Sequence, residues 1–231
     1  MKRFLKNSVC FGLLALAPVA AFADELIYLP DAGGMELFKG AELDAPYFSL
    51  ASYLDSEHIL TFCGPATIAA VMNSLGGDRP VAQRLYPWPF FNQENIFSAE
   101  NEKVKSYPMV EHEGLVLSQL AQFFTNLGVS AEFRHADEFD EAGLRDTVKK
   151  VLADPAKRLV INYSRKPIGQ KGDGHISPVA AYDADTDRVL VLDVAKYKYP
   201  PVWMTIADLY KAMATTDTGS NKLRGLVVVT R

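Results

Sequence analysis

A thiol, an imidazole and a carboxylate stand far apart in this chain, each where it could serve nucleophilic chemistry. Cys63 opens the segment Phe62-Cys63-Gly64-Pro65, which runs into Ile68, Val71, Met72 and Leu75. That apolar spacing marks one face of a helix. Pro65 suits a first turn, where its missing N–H costs nothing, and Gly76-Gly77 suit the C-terminal end. A thiol at a helix start meets unpaired N–H groups and the positive end of the helix dipole. Both favour the thiolate, and the same N–H groups can hold a developing oxyanion.

His175 follows the flexible Gly172-Asp173-Gly174, and Asp193 ends the apolar run Val189-Leu190-Val191-Leu192. An unpaired carboxylate in such a run would be costly. The cluster Asp183-Ala184-Asp185-Thr186-Asp187 reads as a turn, so residues 175–182 and 188–195 form a hairpin. A hairpin centred near residues 184–186 brings Asp193 to within a few residues of lying opposite His175. A buried Asp facing a His orients the imidazole and stabilises its cation. The imidazole can then take the proton of a thiol and return it to a leaving amine. His112 and His135 lie in polar sequence and read as solvent-facing, and His58 lies just before Cys63. Spacing alone also allows Cys63 as core filling and Asp193 as an edge residue. One cysteine and scattered histidines give no zinc-ligand spacing, and no glycine loop suits a phosphate.

The elements that must position these groups follow in order. Residues 24–52 read as an irregular lead with a short helix near Gly34–Gly40, and residues 78–114 as long loops with a short helix. Leu115–Leu127 and Glu141–Ala153 are amphipathic helices, ended by Gly128 and by Asp154-Pro155. Strands are expected at Val129–Arg134, Leu159–Tyr163 and Leu223–Val229. A short helix at Thr205–Met213 has Thr205 as its cap. Helices first and an antiparallel sheet second make an α+β domain.

The N-terminus reads differently. Lys2, Arg3 and Lys6 precede the apolar run Val9–Ala21, and Ala21-Phe22-Ala23 is a small-residue cleavage signal. Residues 1–23 are therefore expected to be a secretory signal peptide cut after Ala23, leaving 24–231 as the catalytic domain. The run is too short to remain as a comfortable membrane anchor. Cleavage removes Cys10, which leaves Cys63 unable to form an internal disulfide. The net charge of −4 becomes more negative with the leader gone, which excludes a nucleic-acid partner. The expected location is the periplasm, with no stable membrane association. A homodimer is compatible with the sequence, which does not otherwise set the oligomeric state.

The segments around these residues resemble one family. Phe62-Cys63-Gly64 with Met72-Asn73-Ser74-Leu75 looks like the nucleophile segment of phytochelatin synthases. Asn162-Tyr163-Ser164-Arg165, Gly169-Gln170 and Gly174-His175-Ile176-Ser177-Pro178 resemble its histidine segment. Leu192-Asp193-Val194-Ala195 with Lys198-Tyr199-Pro200-Pro201-Val202-Trp203 resembles its aspartate segment. Ala212-Met213, Asp217 and Arg224-Gly225 resemble its C-terminal segment.

The resemblance implies a papain-like fold, with the nucleophile helix packed on an antiparallel sheet, and a Cys63–His175–Asp193 triad. It implies attack on the Cys–Gly amide of glutathione, loss of glycine, and a γ-Glu-Cys acyl-enzyme that passes to a second glutathione or to water. Asn162 is implied to face the acyl group. Asp217 and Arg224 match positions tied to activity, through substrate binding or through a structural ion pair. Cd²⁺ and Zn²⁺ are implied to act as metal–thiolate glutathione, with no permanent cofactor and no dedicated metal site on the protein. The sequence stops at Arg231 without the cysteine-rich extension of plant members, as in short bacterial members that lean toward hydrolysis. The family places a Gln oxyanion donor six residues before the nucleophile, where this chain has Glu57. An ionised Glu57 would repel an oxyanion, whereas a protonated one could donate to it. The alternatives to a glutathione enzyme are another papain-like peptidase and a weakly active relative that binds glutathione or metal thiolates.

Overall fold

The computed structural model describes residues 25–231, so the expected leader lies outside the described residues. The chain begins with β1 (Ile27–Tyr28), α1 (Ala32–Gly40) and α2 (Ala45–Tyr53). It continues through α3 (Cys63–Leu75), α4 (Ala99–Val104), α5 (Tyr107–Glu113) and α6 (Leu117–Asn126). Next come β2 (Ser130–His135), α7 (Glu141–Leu152), β3 (Lys157–Ser164), β4 (Gly174–Asp183), β5 (Arg188–Val191) and β6 (Val202–Thr205). The chain closes with α8 (Ile206–Met213), a small pair β7 (Thr216–Asp217) and β8 (Lys222–Leu223), and β9 (Gly225–Thr230).

Seven strands form one antiparallel sheet in the order β1-β6-β5-β4-β3-β9-β2. Its central strands β3 and β4 are buried almost end to end. One hydrophobic core gathers α3 and α6 with Val160, Ile176, Trp203 and Val227. A second gathers α7 and α8 with Leu159, Ile161, Val179 and Leu226. Alternate residues of one strand, Val160 against Leu159 and Ile161, therefore serve opposite cores, as the two-residue period of a strand requires. The α+β reading holds, with helices covering both cores.

Helix α3 is apolar around most of its circumference, and all of it but Ser74 is buried. It packs on β4, and Thr67 Oγ1 donates to the Ile176 carbonyl at 3.1 Å, tying the helix to the strand beside His175. The predicted cap of α8 is present: Thr205 Oγ1 accepts from the Asp208 N–H at 3.1 Å. Four expectations need correction. His135, expected to face solvent, is buried, with its Nδ1 2.6 Å from the Leu223 carbonyl. The lead segment holds two full helices, because α2 has little one-sided patterning to announce it. Residues 78–114 hold α4 and α5. The second arm of the hairpin stops at Val191 rather than Ala195, and β6 was not foreseen behind Pro200-Pro201.

Candidate active site

Cys63 sits in the first turn of α3, His175 near the start of β4, and Asp193 just past β5. The β4–β5 pairing carries an irregularity between Val179 and Ala181, which lets the chain beyond Val191 turn under the start of β4. Leu192 N–H still donates to the Pro178 carbonyl at 3.0 Å, and Val194 N–H to Ser177 Oγ at 3.3 Å. Asp193 Oδ1 thereby reaches His175 Nε2 at 2.8 Å, with both side chains buried. It also accepts from the Ala195 N–H at 2.8 Å, which closes a local turn. A ring nitrogen of His175, Cys63 Sγ and a carboxylate oxygen of Glu57 all lie within 4.8 Å of one another. Since Nε2 is engaged by Asp193, Nδ1 is the nitrogen available to the thiol.

Arg165 is the residue the sequence reading passed over. Buried beside the pair, its Nη2 donates to Asp193 Oδ1 at 2.9 Å, and its Nη1 lies 2.7 Å from Oδ2. Gln170 Oε1 accepts from Nη1, and the guanidinium lies over the Tyr199 ring, 5.0 Å from its centroid. Tyr163 meets the His175 ring edge-on, at 5.8 Å between centroids. The imidazole is thus fixed by a carboxylate that is itself fixed by a cation.

Burial alone would raise the Asp193 carboxyl. The hydrogen bonds and positive charges of His175 and Arg165 overcome it and hold the carboxyl well below the usual range. Burial also lowers the His175 imidazole, and the Asp193 bond opposes that only in part. The Cys63 thiol is pushed up to about 12, first by burial and then by the negative charge of Glu57. Burial and the neighbouring carboxylate thus oppose the stabilisation that the helix start offers a thiolate.

Glu57 is buried and held on a fixed loop. Its N–H donates to the Val194 carbonyl at 2.8 Å. Gln93, on the neighbouring segment, donates to the Ser56 carbonyl at 2.8 Å and accepts from the His58 N–H at 3.0 Å. Glu57 Oε1 accepts from the Tyr197 hydroxyl at 2.6 Å, while Oε2 is buried with no hydrogen-bond partner. Burial raises its carboxyl, with the Tyr197 hydrogen bond opposing and the Asp193 charge adding to it.

Cys63 and His175 line a cleft of about 530 Å³ whose walls include Lys105, Gln119, Asn162, Asp217 and Arg224. Arg224 Nη1 donates to Asn162 Oδ1 at 3.0 Å and stands 3.8 Å from Asp217 Oδ2. Asn162 Nδ2 donates to Asp217 Oδ2 at 3.3 Å. The three residues named from sequence therefore form one connected cluster on the cleft wall. Arg224 Nε is buried and unpartnered. Gly174 lies against the Arg224 guanidinium, where a Cβ would have no room. Lys105, buried and paired with Glu113 at 2.8 Å, is a further cleft cation, on a segment read from sequence as loop.

A cysteine at a helix start, an imidazole locked by a buried carboxylate and a polar cleft lined by the first two thus stand together. Residues 19–226 match the model of the phytochelatin synthase family. The chain belongs to that family. It is 31% identical over 186 residues to glutathione gamma-glutamylcysteinyltransferase 3 of Lotus japonicus, covering 80% of this chain and 37% of that protein. It is 32% identical over 197 residues to glutathione gamma-glutamylcysteinyltransferase 1 of Triticum aestivum, covering 85% of this chain and 38% of that one. The glutathione gamma-glutamylcysteinyltransferase of Schizosaccharomyces pombe is 29% identical over 185 residues, 79% of this chain and 43% of its own length. The chain thus spans well under half the length of the curated relatives it matches.

Proposed function

We propose that this protein is a glutathione gamma-glutamylcysteinyltransferase-like enzyme that cleaves the Cys–Gly amide of glutathione through a thioester on Cys63. The observation that carries the reading is the meeting of Cys63 and His175 at the wall of a polar cleft, with buried Asp193 bonded to His175, in a chain whose relatives are named for that activity. His175 takes the Cys63 proton as sulfur attacks the amide carbon. The carbonyl electrons move onto oxygen, then return as the C–N bond breaks, and the His175 imidazolium protonates the departing glycine. The γ-Glu-Cys thioester is then taken by the amine of a second glutathione, or by water, with His175 accepting the proton of the attacker. Asp193 keeps the imidazole in the productive tautomer and balances its charge. Arg224, through its planar fork, is suited to a substrate carboxylate, with Asn162 and Asp217 setting its position. Cd²⁺ and Zn²⁺ enter this reaction as thiolate complexes of the substrate.

The nucleophile helix on an antiparallel sheet supports a papain-like assignment. The leader sequence supports export to the periplasm, where the domain acts free of the membrane, and a homodimer is compatible with this reading. A weakly active relative is the second reading, favoured by the buried Glu57 beside a thiol pushed up to about 12. Free glycine, γ-Glu-Cys and longer oligomers, measured by mass after incubation with glutathione with and without Cd²⁺, test the proposal. Glycine release that disappears in Cys63→Ser is expected. Its absence under every condition contradicts the reading.

Glu57→Gln is expected to raise turnover. The Tyr197 hydroxyl keeps its acceptor, and the orphaned Oε2 is replaced by an amide donor. One oxyanion donor is worth about 10²–10³ in rate, so a gain in kcat of at least about tenfold is expected. Equal kcat values for the two proteins would show that Glu57 plays no part at the oxyanion.

A further inference from the structure

We propose that Glu57, Cys63 and His175 form a three-ligand site in which a thiophilic divalent cation, Zn²⁺ or Cd²⁺, reversibly caps the nucleophile. Among the described residues, these are the His, Cys and carboxylate side chains found close enough together to share an ion. Bonds of about 2.0–2.3 Å to S, N and O put tetrahedral ligand atoms roughly 3.5 Å apart. The three atoms already lie within 4.8 Å of one another, so inward movements of about 1 Å complete the site.

Three features point to a cation. Glu57 Oε2 is a buried acceptor without a partner, in a residue that is 6% exposed, and a carboxylate oxygen of Glu57 lies within 4.8 Å of the Cys63 sulfur and a His175 ring nitrogen. A carboxylate oxygen left in that state carries a desolvation cost that a cation would relieve. The outer shell is also in place. Asp193 holds His175 Nε2, Arg165 holds Asp193, and the Tyr197 hydroxyl holds Glu57 Oε1. A carboxylate behind a ligating imidazole, and a hydrogen bond to a ligating carboxylate, are the usual supports of a metal site. Finally, one thiolate, one carboxylate and a neutral imidazole balance a dication, which matters where all three are buried. Binding forms a metal–sulfur bond and releases the thiol proton to solvent, with the proton of Glu57 wherever it carries one. A thiolate–imidazole pair selects Zn²⁺ or Cd²⁺ over Mg²⁺ or Ca²⁺. Because Cys63 and His175 also line the cleft, a fourth position is left facing it. A glutamine at position 57 could not serve as this anionic ligand.

This binding needs no glutathione turnover and is measured without it. The full chain carrying Cys10→Ser, so that Cys63 is its sole thiol, is titrated with Cd²⁺ while thiolate-to-metal charge-transfer absorption is followed. The band is expected to saturate at one Cd²⁺ per chain and to be absent in Cys63→Ser. Glu57→Gln is expected to weaken Cd²⁺ binding by about tenfold or more. In the Cys10→Ser protein with Glu57 intact, Zn²⁺ is expected to slow iodoacetamide alkylation of Cys63, which supports the site even if the Gln variant folds poorly. A titration without the band, alkylation unaffected by Zn²⁺, or Cd²⁺ affinity unchanged in a folded Glu57→Gln protein overturns the proposal.

Discussion

Asp193→Asn is expected to lower glycine release from glutathione by about 10⁴-fold, the scale on which a triad loses rate when its imidazole is held in the wrong tautomer. In this protein the geometry makes the asparagine especially unsuitable. Oδ1 accepts three donors, from His175, Arg165 and the Ala195 N–H, while Oδ2 faces Arg165 Nη1 at 2.7 Å. An amide has one acceptor oxygen and one NH₂ group. With the oxygen toward His175, the NH₂ meets the guanidinium. With the amide turned over, the NH₂ meets His175, Arg165 and a backbone donor together. Either way the imidazole loses the anion that would balance its charge. The measurement is kcat for glycine release, with folding checked by circular dichroism. A loss smaller than tenfold in a folded variant would mean that Asp193 only supports the structure.

Arg165→Met is expected to cost about 3–5 kcal/mol of stability, the range for removing one partner of a buried ion pair. Asp193 is fully buried, and without Arg165 its charge rests on His175 and one backbone N–H. Methionine restores much of the side-chain volume, so packing loss is kept small relative to the electrostatic term. Urea denaturation should show a lower midpoint with an unchanged slope. The double variant Arg165→Met/Asp193→Asn should recover part of the loss, since the stranded charge is gone. Costs that add to within about 0.5 kcal/mol would show that the two residues do not interact.

These expectations turn on Arg165, and its history in the sequence is instructive. Arg165 closes the segment Asn162-Tyr163-Ser164-Arg165, yet no spacing rule links position 165 to position 193. The link is made by a sheet register that pairs Tyr163 with His175 and by the chain turning after Val191. Cys63, His175 and Asp193 were legible because each carried a local signal: a helix start, a glycine-led strand and a carboxylate in an apolar run. Their assembly was only roughly legible. A regular hairpin extended to Ala195 leaves Asp193 near His175, whereas the irregularity in β4–β5 and the Asp193–Ala195 turn place it in contact.

The fold divides the same way. Helices α6 and α7 are legible from a clear apolar face, and α3 from its own punctuation, Cys63-Gly64-Pro65 at the start and Gly76-Gly77 at the end. Helix α2 was hidden because its apolar residues surround it, and β6 was hidden behind a Pro-Pro pair. Helices α4 and α5 are short, and Ser98 caps the first by accepting from the Asn101 N–H at 3.3 Å. Their value comes from tertiary packing, which also delivers Lys105 to the cleft. Glu57 was noticed only as a departure from a family pattern. Its burial, its tie to Tyr197 and its open oxygen depend on contacts more than a hundred residues away in sequence. At the thiol, the helix start favours the anion while burial and the Glu57 charge, neither of them local in sequence, push the other way.

The central claim is a thioester between Cys63 and the γ-Glu-Cys moiety of glutathione. Intact-mass and peptide-mass measurement of the protein, quenched in acid during turnover of glutathione, reads it directly. The account predicts an added mass of one γ-Glu-Cys acyl group on the peptide containing Cys63, absent in Cys63→Ser and stripped by hydroxylamine. Glycine release proceeding at full rate with that peptide unmodified, or persisting in Cys63→Ser, would contradict it.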